Sequence, residues 1–175
     1  MTSRSPHRRN RPRLATALAV LCVLALVGGI AATVWMSNRS ADIEADDTDR
    51  AEVVQAAQRF TVTWNTIDPK NAEAYVEAVA PLLSTKFRKE FTDTKSDVIG
   101  GITQLGLSST GKVLNDADGI PLVGIAALDA DSAKVMVVSD SQRVSGGQPV
   151  VRHWRWELTM VRVDGDWLVD DLKAV

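Results

Sequence analysis

Few side chains in this chain could carry chemistry. Among its 175 residues are one tyrosine, Tyr75, one cysteine, Cys22, and, beyond residue 36, one histidine, His153. An enzyme working by proton transfer needs a positioned acid or base in reach of its substrate. Tyr75 stands beside Val76 and Val79 at helical spacing, which reads as a core position with the hydroxyl at the rim. His153 falls in phase with Arg155 and Glu157 and out of phase with Trp154 and Trp156, so it belongs to a solvated strand face. A zinc site commonly draws on several Cys or His ligands, and beyond residue 36 only His153 is available. Asp164, Asp166, Asp170 and Asp171 lie close together, but two of them flank Gly165 as turn residues, and the spacing lacks the regular pattern and terminal Glu of a calcium loop. Gly146-Gly147 is followed by Gln and Pro, not by the Lys-Ser/Thr that grips a nucleotide, and no Gly-x-Ser-x-Gly elbow is present. No catalytic, cofactor-binding or metal-ligating residue is therefore expected. What remains is apolar and aromatic. Trp64, Tyr75, Trp154, Trp156 and Met160 are candidates to line a pocket for a lipid tail or sterol, or else to fill the core, each tryptophan removing on the order of 200 Å² from water.

The elements that position these residues follow from composition. Five arginines and no acid lie in the first 13 residues, and from residue 37 onward 15 basic residues face 22 acidic ones, a net charge of −7. An acidic folded part argues against nucleic acid as a partner. Between Leu14 and Met36 run 23 residues without a charge. As a helix these cover roughly 34 Å at about 1.5 Å per residue, enough for the ~30 Å hydrocarbon layer. Arginines before the span and acids after it put the N-terminus in the cytoplasm and everything past about Ser37 outside the cell membrane. The alternative is a cleaved signal peptide, with Gly29-Ile30-Ala31 as a small-x-small site, although the apolar run exceeds the roughly 7–15 residues usual for one. Cys22 sits within the span, so no intrachain disulfide can form. Residues 37–48 are polar and acidic and read as a linker. The organisation expected is a basic tail over 1–13, a transmembrane helix over 14–36, the linker over 37–48 and an extracytoplasmic domain over 49–175.

Within that domain a helix is expected from Asp49, with Glu52 completing a capping box. Val53, Ala57, Phe60, Trp64 and Ile67 form its apolar stripe. Asp68-Pro69 is expected to stop it and cap a second helix carrying Ala72, Tyr75, Val76 and Val79. Further helical stretches are expected from Leu82 to about Phe91 and from about Ser96 to Leu105. After Gly106 the period changes to two, and five strands are expected over 107–114, 119–129, 133–142, 150–163 and 167–173. The separating clusters, Asn115-Asp116, Asp129-Ala130-Asp131, Ser145-Gly146-Gly147 and Asp164-Gly165-Asp166, are hairpin chemistries. Helices ahead of strands joined by short turns predict an α+β fold, with N-terminal helices packed on one side of a curved antiparallel sheet.

Helices followed by long strands, closing in MVRVDGDWLVDDLKAV, resemble the cone-shaped fold of the nuclear transport factor 2 and SnoaL-like superfamily. With the anchor added, the whole chain resembles the Mce-associated membrane proteins of actinobacterial envelopes. The matching features are the Arg-rich tail and span, VVQAAQRFTVTWNTID, PLLSTKFRKEF, AKVMVVSDSQ and WLVDDLKAV. The resemblance implies a non-catalytic accessory or assembly subunit of an Mce-type lipid transport system, carrying sterols or fatty acids. It implies other envelope or transporter proteins as partners and no cofactor. An alternative is a lipid- or steroid-binding pocket protein, or a pocket enzyme of the same superfamily; a steroid isomerase of this fold would need an aspartate base and an oxyanion hole. A third is an envelope protein that forms a homodimer through its sheet.

Overall fold

The computed structural model describes residues 46–145 and 148–175. The tail, the expected span at 14–36, the linker up to residue 45 and the Gly146-Gly147 turn lie outside the described residues. Among the described residues no helix is long and apolar enough to cross a membrane.

The first helix, α1, already runs at residue 46 and continues to 65, so Asp49 and Glu52 lie in its body and not at its cap. Their carboxylates serve a different cation. Arg162 donates from Nη1 to Asp49 Oδ1 at 2.8 Å and from Nη2 to Glu52 Oε2 at 3.1 Å, and its guanidinium lies 5.7 Å from the centre of the Trp167 ring. Two acids one helical turn apart suit a capping box, but they equally suit a forked guanidinium, and the fork takes them here. The buried side of α1 is the expected stripe, with Val53, Ala57 and Phe60 almost fully enclosed.

The second expected cap also moves. Asp68 closes a turn on itself, its Oδ1 accepting from the Lys70 N–H at 2.9 Å across Pro69. The cap of α2 (Ala72–Val79) is Asn71, whose Oδ1 accepts from the Ala74 N–H. Aspartate before proline satisfies itself as well in a turn as at a helix start, and a second side chain able to cap stands three residues later. Pro81 lies in a single 3₁₀ turn, Ala80–Leu82, after which α3 (Thr85–Asp93) and α4 (Lys95–Leu105) follow. Gly106, at φ +55°, ends α4, as its N–H and that of Leu107 turn back to the Thr103 and Ile102 carbonyls.

Five antiparallel strands form the sheet: β1 (Ser108–Val113), β2 (Val123–Leu128), β3 (Ser132–Ser145), β4 (Gln148–Val163) and β5 (Asp166–Ala174). They do not form a simple meander. β3 is flanked by β4 on one side, while β1 and β2 both pair with its other side, β1 along 139–144 and β2 along 133–137. The residues Asn115-Asp116 thus do not turn a hairpin. Asp116 Oδ1 instead accepts from the N–H groups of Asp118 and Ile120, Asn115 bridges to Pro121, and the Leu122 N–H returns to the Leu114 carbonyl. One long edge strand is interrupted by a looped-out segment, because a 14-residue β3 needs a partner along its whole length.

The Asp164-Gly165 turn joins β4 to β5 with φ +53° and +93°, the double left-handed geometry of a two-residue hairpin. Further along this pair, Thr159 faces Asp171 while Met160 faces Val169, leaving Asp170 as an extra residue. That bulge is where the helical layer is fastened. Ser84 donates from Oγ to Asp170 Oδ1 at 2.6 Å, accepts from the Phe87 N–H to cap α3, and donates its own N–H to the Val169 carbonyl. Replacing Ser84 by alanine should cost about 1–2 kcal/mol in chemical denaturation, since a buried cap and the partner of a carboxylate are lost together. Threonine, which keeps the hydroxyl, should recover most of it.

Candidate functional site

An interior site would have to lie between helices and sheet, and the aromatic residues expected there divide between the two layers. On the helical side Trp64 stacks on Phe60 with ring centres 5.6 Å apart, and Phe91 lies 5.9 Å from Trp64 and 6.3 Å from Tyr75. The Tyr75 hydroxyl donates to the Trp64 carbonyl at 3.2 Å. Burial without a compensating charge pushes its pKa up to about 12. On the sheet side Trp154 and Trp156 stack at 4.9 Å. Their indole N–H groups bond diagonally across the ladder, Trp154 to Ser141 Oγ at 2.9 Å and Trp156 to Ser139 Oγ at 3.1 Å. Arg143 lies 5.5 Å above the Trp154 ring and continues the stack outward. Met160 has no exposed surface and sits in the same cluster as Val135, Val137 and Leu158.

The five side chains therefore belong to one packed cluster, Trp64 and Trp154 at its margin. Among the clefts on the surface of the described residues are four of about 590, 340, 210 and 470 Å³. Tyr75 borders the second and Trp154 the fourth, and none of the four is lined by Trp64, Trp156 or Met160. The buried polar residues among those described are Thr61, Asn65, Ser84, Ser109, Ser139 and Ser141. Among the described residues no carboxylate, imidazole or ammonium is buried with Tyr75, and a phenol at about 12 gives up no proton near neutral pH. Among the described residues no three His, Cys, Asp or Glu side chains stand close enough to hold a metal ion. His153 lies on the outer face with its Nδ1 2.6 Å from Asp140 Oδ1.

Tyr75 is the only tyrosine, so its ionisation can be followed directly by the ultraviolet difference spectrum of tyrosinate. The unfolded phenol ionises near 10 and the folded one at about 12. Between these values the unfolded chain binds fewer protons, so this contribution to stability is intact below about pH 10 and is lost as pH rises toward 12. A tyrosinate band emerging near pH 10 with the fold intact would contradict the burial described.

Several residues that shape the interior have only faint sequence signals. Ser139 and Ser141 sit in phase with Val135 and Val137 on β3, and small polar residues at core phase opposite tryptophans mark hydrogen-bonded positions. Gly111, in the middle of β1, lies under α1: an added Cβ would meet Asn65 Cβ at 2.6 Å and the Val62 carbonyl oxygen at 2.8 Å. Its N–H donates to Thr66 Oγ1 at 3.1 Å, and Ile67 and Ser109 exchange backbone bonds just below. Helix α1 is thereby seated on β1.

Comparison of the chain with protein-family models and with curated proteins finds no match in either. Solved structures do resemble it. An NTF2-like protein with a cystatin-like fold from Novosphingobium aromaticivorans aligns at TM-score 0.51 and 14% identity, over 79% of this chain and 87% of that one. Its fold is NTF2-like. An IcmL-like type IV secretion system protein from Legionella pneumophila aligns at TM-score 0.59 and 13% identity, over 73% of this chain and 92% of the other. CagV of Helicobacter pylori, a VirB8 homolog of a type IV secretion system, aligns at 0.54 and 7%, over 71% and 97%. At such identities the likeness is one of fold. The NTF2-like cone of this chain is an α+β domain whose helices pack on a curved, unclosed antiparallel sheet.

Proposed function

We propose that this chain is a membrane-anchored, non-catalytic assembly subunit of the cell envelope, with its basic tail in the cytoplasm and its NTF2-like domain outside, and that the machine it serves is an Mce-type lipid transport system. The observation that carries the reading is the interior. The place where a domain of this shape would hold a substrate is packed with Phe60, Trp156, Leu158 and Met160, and its buried polar residues are non-titrating apart from the Tyr75 rim. The secretion-system names of two structural neighbours support assembly over chemistry. The Arg-rich tail and apolar span supply the anchor, and the sequence features shared with Mce-associated proteins supply the machine. Tethering raises the effective concentration toward membrane-bound partners, so weak interfaces suffice.

The test is purification of the tagged full chain from membranes in mild detergent, followed by mass spectrometry of what elutes with it. Lipid-transporter subunits are expected. Recovery of the chain alone would refute the reading, and a lipid reproducibly bound to the chain would favour the pocket alternative. A phosphatase fused after Val175 should be active outside the cytoplasm; activity only of a cytosolic reporter would refute the topology.

A further inference from the structure

The sheet does not end evenly. β5 stops at Ala174 opposite Trp156, and the last bond on that side runs from the Val175 N–H to the Arg155 carbonyl at 3.0 Å. Beyond it β4 continues toward Gln148, paired only with β3 among the described residues. In an antiparallel ladder the backbone groups of alternate residues face the same neighbour. Because Arg155 faces the β5 side, so do His153, Val151 and Pro149. Val151 and His153 thus present N–H and C=O to an open edge, whereas Pro149 presents only its carbonyl, which explains a proline inside a long strand.

The side chains along this edge have a distinct chemistry. Val150 and Val151 are 44% and 48% exposed, and Arg152 and His153 follow them, then Arg155 after Trp154. Adjacent strand residues point to opposite faces, so one face of the edge shows Val150 followed by Arg152, and the other Val151 followed by His153 and Arg155. Asp140 engages His153, while Arg152 and Arg155 have no carboxylate partner among the described residues. On the outer face a cleft of about 470 Å³ lined by Leu114, Val138 and Val175 adjoins His153 and Arg155. All this sits in a domain, residues 49–175, with 14 basic against 18 acidic residues, a net charge of −4.

From this geometry we infer that the free edge of β4, from Pro149 to His153, is the partner-docking surface: it receives an extended segment of another envelope protein as an added antiparallel strand, and that segment carries an acidic pair followed by an apolar pair. Main-chain bonds to Val151 and His153 supply the pairing, and the side chains on either face supply selection. A second copy of this chain fits poorly, since its own edge from Pro149 to His153 holds no acidic side chain to meet Arg152 and it would double the gap left by Pro149. The inference rests on the reading as an assembly subunit and names the surface that reading requires.

The probe is a fluorescent peptide of repeated Val-Val-Glu-Glu, with Val-Val-Lys-Lys as its counterpart, titrated into the full chain in detergent and followed by anisotropy. The glutamate peptide should bind at least tenfold more tightly than the lysine one, and more weakly as salt is raised. Val151→Pro removes an edge-facing donor without touching the bonds to β3 and should abolish binding, whereas Val151→Ala should bind within a few-fold of the native chain. Hydrogen exchange at Val151 and His153 should slow on binding. Equal binding by the proline variant, no binding by the native chain, or a dimer that the proline variant dissolves would each overturn the inference. The membrane purification separates the two claims: if Val151→Pro still recovers the same partners, this edge is wrong and the assembly role stands; if the native chain recovers none, the assembly role itself fails.

Discussion

Gly111→Ala is expected to destabilise the domain by about 3 kcal/mol, lowering its thermal midpoint by on the order of 10 °C. One methyl group is added, yet the two atoms it meets cannot easily yield. Asn65 Cβ, 2.6 Å away, and the Val62 carbonyl oxygen, 2.8 Å away, belong to the last turn of α1. That turn is pinned from several sides. Asn65 is buried and donates from Nδ2 to the Thr61 carbonyl at 2.9 Å, Thr66 accepts from Gly111 itself, and Ile67 is bridged to Ser109. To relieve the contact α1 must lift from β1, exposing the inner face that carries Val53, Ala57 and Phe60. Gly124 is the internal control, because an added Cβ there meets nothing within 4 Å. Alanine at that position should change stability by no more than about 0.5 kcal/mol. Thermal melts of the two variants followed by circular dichroism decide the matter: equal midpoints would mean that α1 does not press on β1 as described.

Gly111 also shows where sequence reading stops. A glycine in a strand announces a close approach but not what approaches, and Asn65, Thr66 and Gly111 meet only once the helical layer is laid on the sheet. Asp49 and Glu52 were ambiguous for a related reason. Their spacing fits a local cap or a distant cation, and Arg162 lies 110 residues from Glu52 along the chain. The split pairing of β3 was hidden because Asn115-Asp116 is good turn chemistry whether the turn starts a hairpin or closes a loop within one edge. Period, by contrast, is local. The helical stripe from Val53 through Phe60 and the alternation from Trp154 to Met160 follow from burial of one face, and those patterns gave the α+β class and the five strands directly. The aromatic candidates were legible as a set. Whether they enclose space or fill it depends on shapes meeting across two layers, which no spacing encodes. The bulge at Asp170, and with it the Ser84 contact, likewise depends on register between strands.

The filling of that space has its own consequence: Trp156→Ala should cost about 3–5 kcal/mol, the largest effect of any single truncation in the aromatic cluster. Trp156 is 8% exposed, stacks on Trp154, lies opposite Val137 and spends its indole N–H on Ser139, a residue with no exposed surface. Truncation removes the packing on both sides and leaves a buried hydroxyl without its partner, and the serine cannot reach water to recover it. Trp154→Ala should cost less, roughly 1–2 kcal/mol, because its outer side is already open to solvent and to Arg143. Trp156→Phe separates the two contributions, since the ring is largely kept and the hydrogen bond lost; it should fall between the native chain and the alanine variant. A domain whose tryptophans lined an open lipid site would behave differently. Shortening Trp156 would then enlarge a space already occupied by ligand or solvent, stability would change by under about 1 kcal/mol, and lipid binding would be the property that suffers. Denaturant unfolding of the three variants, with mass spectrometry for bound lipid on each, distinguishes a packed interior from a binding one. The packed interior predicts a steep stability loss in the order alanine at 156, phenylalanine at 156, native, with no lipid gained or lost along it.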